Sequence, residues 1–107
     1  MKNFRKAKVY VQDKYAGSLY ETEDGYEFSY DEMYIEDDSA LSVSLTLPKE
    51  GKTYRSKTLF SFFDGLIPEG WILSIAIEKW KIKQTDRFGL LLATGKDCIG
   101  DVSIIEV

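Results

Sequence analysis

Asp64 and Glu69 stand on either side of Pro68, a carboxyl pair that could supply a general acid and a general base. No second pair supports them. The chain contains no histidine, which removes the commonest proton shuttle, the commonest metal ligand and every Ser-His-Asp or Cys-His scheme. The single cysteine, Cys98, follows Asp97, whose carboxylate would raise a thiol pKa rather than activate it. Cys98 therefore reads as a packed turn residue. Gly51-Lys52 and Gly95-Lys96 lack the upstream glycine and the following Ser or Thr of a phosphate-binding loop.

Two charge blocks stand out. Segment 21–38 holds nine acids and no Lys or Arg: Glu21, Glu23, Asp24, Glu27, Asp31, Glu32, Glu36, Asp37 and Asp38. A solvated face of turns and strand edges is the first reading. A surface for a basic partner is the second, and a metal site the third, because the acids miss calcium-loop spacing. Segment 49–57 carries Lys49, Lys52, Arg55 and Lys57 against one acid and reads as an exposed basic loop. With a net charge of −4, broad phosphate-backbone binding is disfavoured.

The run Phe62-Phe63-Asp64-Gly65-Leu66-Ile67-Pro68-Glu69-Gly70-Trp71 is the most unusual passage. Two glycines and a proline fix a backbone shape between helices. Trp71 either fills the core or stands out as a binding anchor, the role in which tryptophan is enriched at interfaces.

The elements that must position these residues follow from hydrophobic period. With 107 residues, 44% apolar and 30% charged, the chain is one globular domain, 1–107, that needs no metal or disulfide staple. The lone cysteine suits a reducing cytoplasm. No apolar run reaches the ~18–20 residues of a membrane span, and residues 1–6 do not open a signal peptide. Strands are expected at 7–12, 18–21, 26–30 and 43–47, with a turn at Asp13–Gly17 and loops at 31–40 and 49–57. A helical turn around Met33–Ile35 would sit within the first of those loops. From Thr58 the period becomes helical. An apolar face runs to Ile67, and a second helix begins near Glu69 or Gly70. A third is capped by Thr85 or Asp86 and ended by Gly95, and a last strand carries Val102, Ile104 and Val107. The order β-β-β-β-α-α-α-β defines an α+β fold: a small antiparallel sheet, open or curled into a barrel, with helices on one side.

Phe62-Phe63-Asp64-Gly65-Leu66-Ile67-Pro68-Glu69-Gly70 resembles the FFxxLLPEG signature of the N-terminal subdomain of HipA-type toxin kinases. Phe88-Gly89-Leu90-Leu91 with Gly95-Lys96-Asp97-Cys98-Ile99-Gly100 resembles the family's second signature. The Val9–Val11 strand and the Ala16–Leu19 hairpin fit its start, so the likeness runs from about residue 8 to 106. Asp101 departs from the small residue common in relatives. The resemblance implies a Ser/Thr kinase lobe that follows in full-length members. No kinase catalytic loop, metal-binding Asp or ATP-site Lys can be placed in this chain.

The stand-alone arrangement resembles the small HipS antitoxins of three-gene HipBST systems. It implies a non-enzymatic, cofactor-free protein that neutralises a HipT-like Ser/Thr kinase toxin, with a HipB-like DNA-binding protein as a further member of the complex. Neither direct nucleic-acid binding nor a membrane role is expected. Expected partner-binding residues are Phe63, Asp64, Pro68, Glu69, Gly70 and Trp71. The alternative is an assembly module, a split or truncated HipA subdomain.

Overall fold

The computed structural model describes residues 4–67, 74, 77–79, 81–83, 85–94 and 101–107. Strand β1 (Lys6–Val11) buries Ala7, Val9 and Val11 and turns the residues between them outward, the period of two expected of a half-buried strand. It joins β2 (Lys14–Thr22) through a two-residue turn in which Gln12 (φ 50°) and Asp13 (φ 68°) are both left-handed. That backbone twist matches the flanking strands. The sequence places this turn at Asp13–Gly17, but Gly17 lies inside β2. A Cβ there would overlap the Ser29 carbonyl oxygen and stand 2.9 Å from the Tyr30 Cα. Close strand approach, not turn geometry, requires that glycine.

Strand β3 (Gly25–Tyr30) pairs with β2 and leads into the short helix α1 (Glu32–Glu36). A single 3₁₀ turn (Lys49–Gly51) precedes β4 (Thr53–Ser56). After helix α2 (Ser61–Asp64) come helical residues at 74 and 77–79, then helix α3 (Arg87–Thr94) and β5 (Val102–Glu106). The five strands form one antiparallel sheet in the order β4-β3-β2-β1-β5, open at both edges. The fold is α+β, as expected, without closure into a barrel.

The fourth strand is displaced from its expected place. Residues 43–47 alternate apolar and hydroxyl side chains but form a tight loop with one isolated bridge, Ser44 to Leu47, while Leu45 is 99% exposed. The strand lies instead in the polar stretch 49–57. Burial explains the exchange. An edge strand with Tyr54 half-covered needs no apolar period, whereas Val43 and Leu47 serve as plugs into the core. Helix α2 is also shorter than the apolar face from Thr58 to Ile67 implies, with four helical residues and a turn through Ile67.

The core lies on one sheet face. Phe28 at its centre meets Phe63 of α2 (ring centroids 5.4 Å apart), and Tyr26 meets Phe88 of α3 edge-on (5.7 Å). Leu19, Leu90, Leu91 and Ile104 complete it. Each large side chain contributes about 2–3 kcal/mol by leaving water.

Candidate protein-interaction site

Helix α2 and the turn after it carry the first signature. Leu59, Phe63 and Ile67 recur every four residues and are all buried, so this short segment is held down along one side. Phe60 and Phe62 each lie edge-on to the Phe63 ring, at 6.1 and 5.3 Å. The backbone amides of Asp64, Gly65, Leu66 and Ile67 donate in turn to the carbonyls of Phe60, Ser61, Phe63 and Asp64. Residues 59–67 therefore form a fixed platform.

Asp64 is half-exposed and accepts a 2.7 Å hydrogen bond from Arg87 Nε. Arg87 is the first residue of α3, immediately before the second signature. The first signature thus meets the residue that precedes the second, one that sequence reading did not single out. Asp86 caps α3, its Oδ1 accepting from the Gly89 amide at 3.0 Å. This is one of the two caps expected.

The same Asp86 shares Arg5 with Glu21. The Arg5 guanidinium donates to both carboxylates at 2.8–3.0 Å, and its backbone amide also donates to Glu21 Oε1. Hydrogen bonds from Arg5 hold both carboxyls below their ordinary range and push the guanidinium pKa up. Arg5 also lies 5.4 Å from the Phe88 ring centroid. Gly89 makes room, since a Cβ there would overlap Asp86 Oδ2 and stand 2.9 Å from Arg5 Nη1.

The two charge blocks answer each other in part within the chain. Arg55 Nε reaches Glu27 at 2.7 Å, Lys52 Nζ reaches Glu32 at 2.9 Å, and Lys49 Nζ donates to the Asp37 carbonyl at 2.8 Å. Lys14 adds a longer contact to Asp37 at 3.4 Å. The pairing of β3 with β4 places Glu27 opposite Arg55, which reading the blocks separately could not reveal. Among the described residues, no group of three His, Cys, Asp or Glu side chains could hold a metal.

Of the six expected contact residues, Phe63 is fully buried and Asp64 is half-exposed beside Arg87. Phe63 is committed to the core and can support a contact loop only from beneath. Pro68, Glu69, Gly70 and Trp71 lie outside the described residues, as do Gly95 and Cys98. No described helix is long and apolar enough to cross a membrane.

The family model for the HipA N-terminal domain matches residues 7–105. The chain belongs to the HipA N-terminal domain family. A solved structure, the N-terminal domain of a HipA toxin, superposes with a TM-score of 0.75 at 31% identity, covering 100% of this chain and 96% of that one. An uncharacterised protein of Haemophilus influenzae is 34% identical over 102 residues, 95% of this chain and 92% of its own length. A Sinorhizobium fredii protein bearing the name "Putative kinase Y4mE" is 27% identical over 78 residues. That match takes in 73% of this chain but only 19% of the larger protein. The HipA N-terminal domain therefore occurs both at about this size and as a small part of a longer chain. In this member the Asp64–Arg87 ion pair joins the first family signature to the residue that precedes the second.

Proposed function

We propose that this HipA N-terminal domain is a non-catalytic antitoxin that docks onto a HipT-like Ser/Thr kinase toxin and silences it. A HipB-like DNA-binding protein is the expected third member of the complex. The observation that carries the reading is the likeness, over the whole chain, to the N-terminal domain of a HipA toxin. A domain that normally abuts a kinase lobe within one polypeptide retains the surface for that lobe when it is supplied separately. The platform of α2 and α3, clamped by Asp64 and Arg87, supports the reading because it gives the first signature a fixed base as far as Ile67. In this mechanism Trp71 is the anchor that enters the kinase cleft. An anchor of that kind contributes about 2–4 kcal/mol, or roughly 30- to 1000-fold in affinity. No covalent chemistry is required of this chain.

The test is growth rescue and kinase inhibition by Trp71→Ala. Stoichiometric inhibition by the wild-type domain, lost in a folded Trp71→Ala variant, is the expected result. Full inhibition by that variant removes Trp71 from the mechanism, and full kinase activity under saturating wild-type domain removes the antitoxin reading.

A second reading draws on the Sinorhizobium fredii relative, where the homologous segment is a fifth of a longer protein. There the domain would act as an assembly module that supports a kinase and its repressor. Tighter operator binding by the repressor complex, with kinase activity unchanged, is the outcome that selects it.

A further inference from the structure

The loop 40–47 is built like a mounting for a single side chain. Ala40, Val43 and Leu47 point into the core, while Leu41 and Leu45 point out, at 65% and 99% exposure. The mounting is rigid. The Tyr30 hydroxyl donates to the Leu47 carbonyl and accepts from the Val43 amide, so one buried phenol ties both ends of the loop. Its ring stacks on Tyr34 (6.1 Å, 7° between planes), and the Tyr34 hydroxyl donates to the Leu41 carbonyl at 2.5 Å. At the tip, Ser44 Oγ accepts from the Thr46 amide at 3.2 Å, and the Leu47 amide donates to the Ser44 carbonyl at 3.0 Å. An aliphatic side chain wholly in water on a loop this heavily braced gains nothing for the fold.

Beside the loop lies a hollow of about 400 Å³, lined by Ile35 and Leu41 together with Asp38, Ser42, Lys49 and Glu50. The charges around it are unequal. Asp38 and Glu50 of its lining, and Glu36 at the end of α1, are exposed and form no ion pair among the described residues. Lys49 keeps its charge there while donating to the Asp37 carbonyl and lying 5.9 Å from the Tyr34 ring centroid, so the carboxylates of Asp38 and Glu50 outnumber it by one. The surface is thus an apolar knob beside a hollow of mixed polarity whose carboxylates outnumber its cation.

We propose that the 40–47 loop is a second docking element, in which Leu45 enters an apolar pocket rimmed by Lys or Arg on the kinase lobe. This rests on the antitoxin reading above and adds to it a surface that lies outside both family signatures. Charge complementarity selects the partner. A second copy of this acidic domain would bring carboxylates against carboxylates, whereas a basic-rimmed protein pocket meets both the knob and the carboxylates beside it.

The test uses the intact domain and a purified HipA-type kinase lobe from the same genome that lacks this domain. Binding is followed by interferometry at two salt concentrations for three proteins: the wild type, Leu45→Ser, and the triple variant Glu36→Gln, Asp38→Asn, Glu50→Gln. Leu45→Ser is expected to bind roughly 10- to 100-fold more weakly through faster dissociation, with its melting temperature unchanged. The triple variant is expected to associate more slowly and to lose most of the salt dependence. If the wild type binds and Leu45→Ser matches it within about twofold, the second docking element is refuted while the antitoxin reading stands. If the wild type does not bind the kinase, both fall. If the wild type is instead a dimer that Leu45→Ser dissolves, the occupant is a second copy and the proposal is overturned.

Discussion

Arg5 and Asp86, 81 positions apart in sequence, share two hydrogen bonds, Nη1 to Oδ2 at 2.9 Å and Nη2 to Oδ1 at 2.8 Å. The same guanidinium holds Glu21 of β2, so one side chain fastens the first strand, the second strand and the cap of α3. Arg5→Ala is expected to destabilise the domain by about 1–3 kcal/mol, a partly exposed network being worth less than a buried one. Gly89→Ala is the sharper probe. Alanine normally improves a helix by about 1 kcal/mol, but here its methyl would displace the Arg5–Asp86 pair. Chemical denaturation should show Gly89→Ala less stable than wild type and nearly neutral when placed on Arg5→Ala.

The acid limb of stability follows from the same network. Glu21 and Asp86 have ordinary values of 4.5 and 3.8, and both are lowered chiefly by hydrogen bonds from Arg5. A lowered carboxyl binds its proton more weakly when folded than when unfolded. Its stabilisation is therefore complete above the unfolded value and drains away as pH falls through the folded one. Urea midpoints should hold steady from pH 7 to about 5, then fall steeply below about 4.5. In Arg5→Ala the fall should be shallower. The remaining slope comes from Glu32 and Asp37, lowered by hydrogen bonds from Lys52 and Ser39.

The alkaline limb belongs to the tyrosines. Burial pushes Tyr30 up to about 12, and it raises Tyr26 and Tyr34 as well. Such a phenol holds its proton more tightly when folded, so its contribution is intact below the unfolded value of 10.0 and disappears as pH rises through the folded one. Part of the tyrosine ultraviolet absorbance should titrate only near pH 12, together with loss of far-ultraviolet circular dichroism. Tyr30→Phe leaves the Val43 amide and Leu47 carbonyl without their partner and should cost about 1–3 kcal/mol. A loss well below that range, measured by denaturation, would show that other groups anchor the loop.

Asp64 and Arg87 predict a matched pair of effects on the proposed complex. If their ion pair positions the contact run, Asp64→Asn and Arg87→Gln weaken kinase binding equally, and the double variant is no worse than either. If Asp64 itself touches the partner, only its replacement matters. Stability should change by under about 1 kcal/mol in each case, since both side chains are half-exposed.

Some of this architecture was legible in the residues. The alternation of Ala7, Val9 and Val11 and the Tyr26–Tyr30 period mark real strands, because each buries one face only. The Asp86 cap and the α3 apolar face also stand where local chemistry puts them. The failures share one cause. Gly17, the 43–47 alternation and the polar 53–56 strand can be understood only through what lies across from them: Ser29 and Tyr30, the Tyr30 hydroxyl, and Glu27. The hairpin turn was hidden because Gln12 and Asp13 take positive φ without a glycine. Within the candidate site, the signature residues announced themselves as a motif. Arg87 and Arg5 did not, since their partners lie 23 and 81 positions away.

The strand order carries a consequence for biosynthesis. Because Val102–Glu106 zips onto Lys6–Val11, nearly all of this domain must be synthesised before its opening segment finds one of its two neighbours. Folding of the domain is accordingly dominated by distant contacts, slower than that of a helical bundle of equal length. A premature stop codon before residue 102 would release a chain lacking Val102 and Ile104 from its interior, a natural substrate for proteolytic clearance.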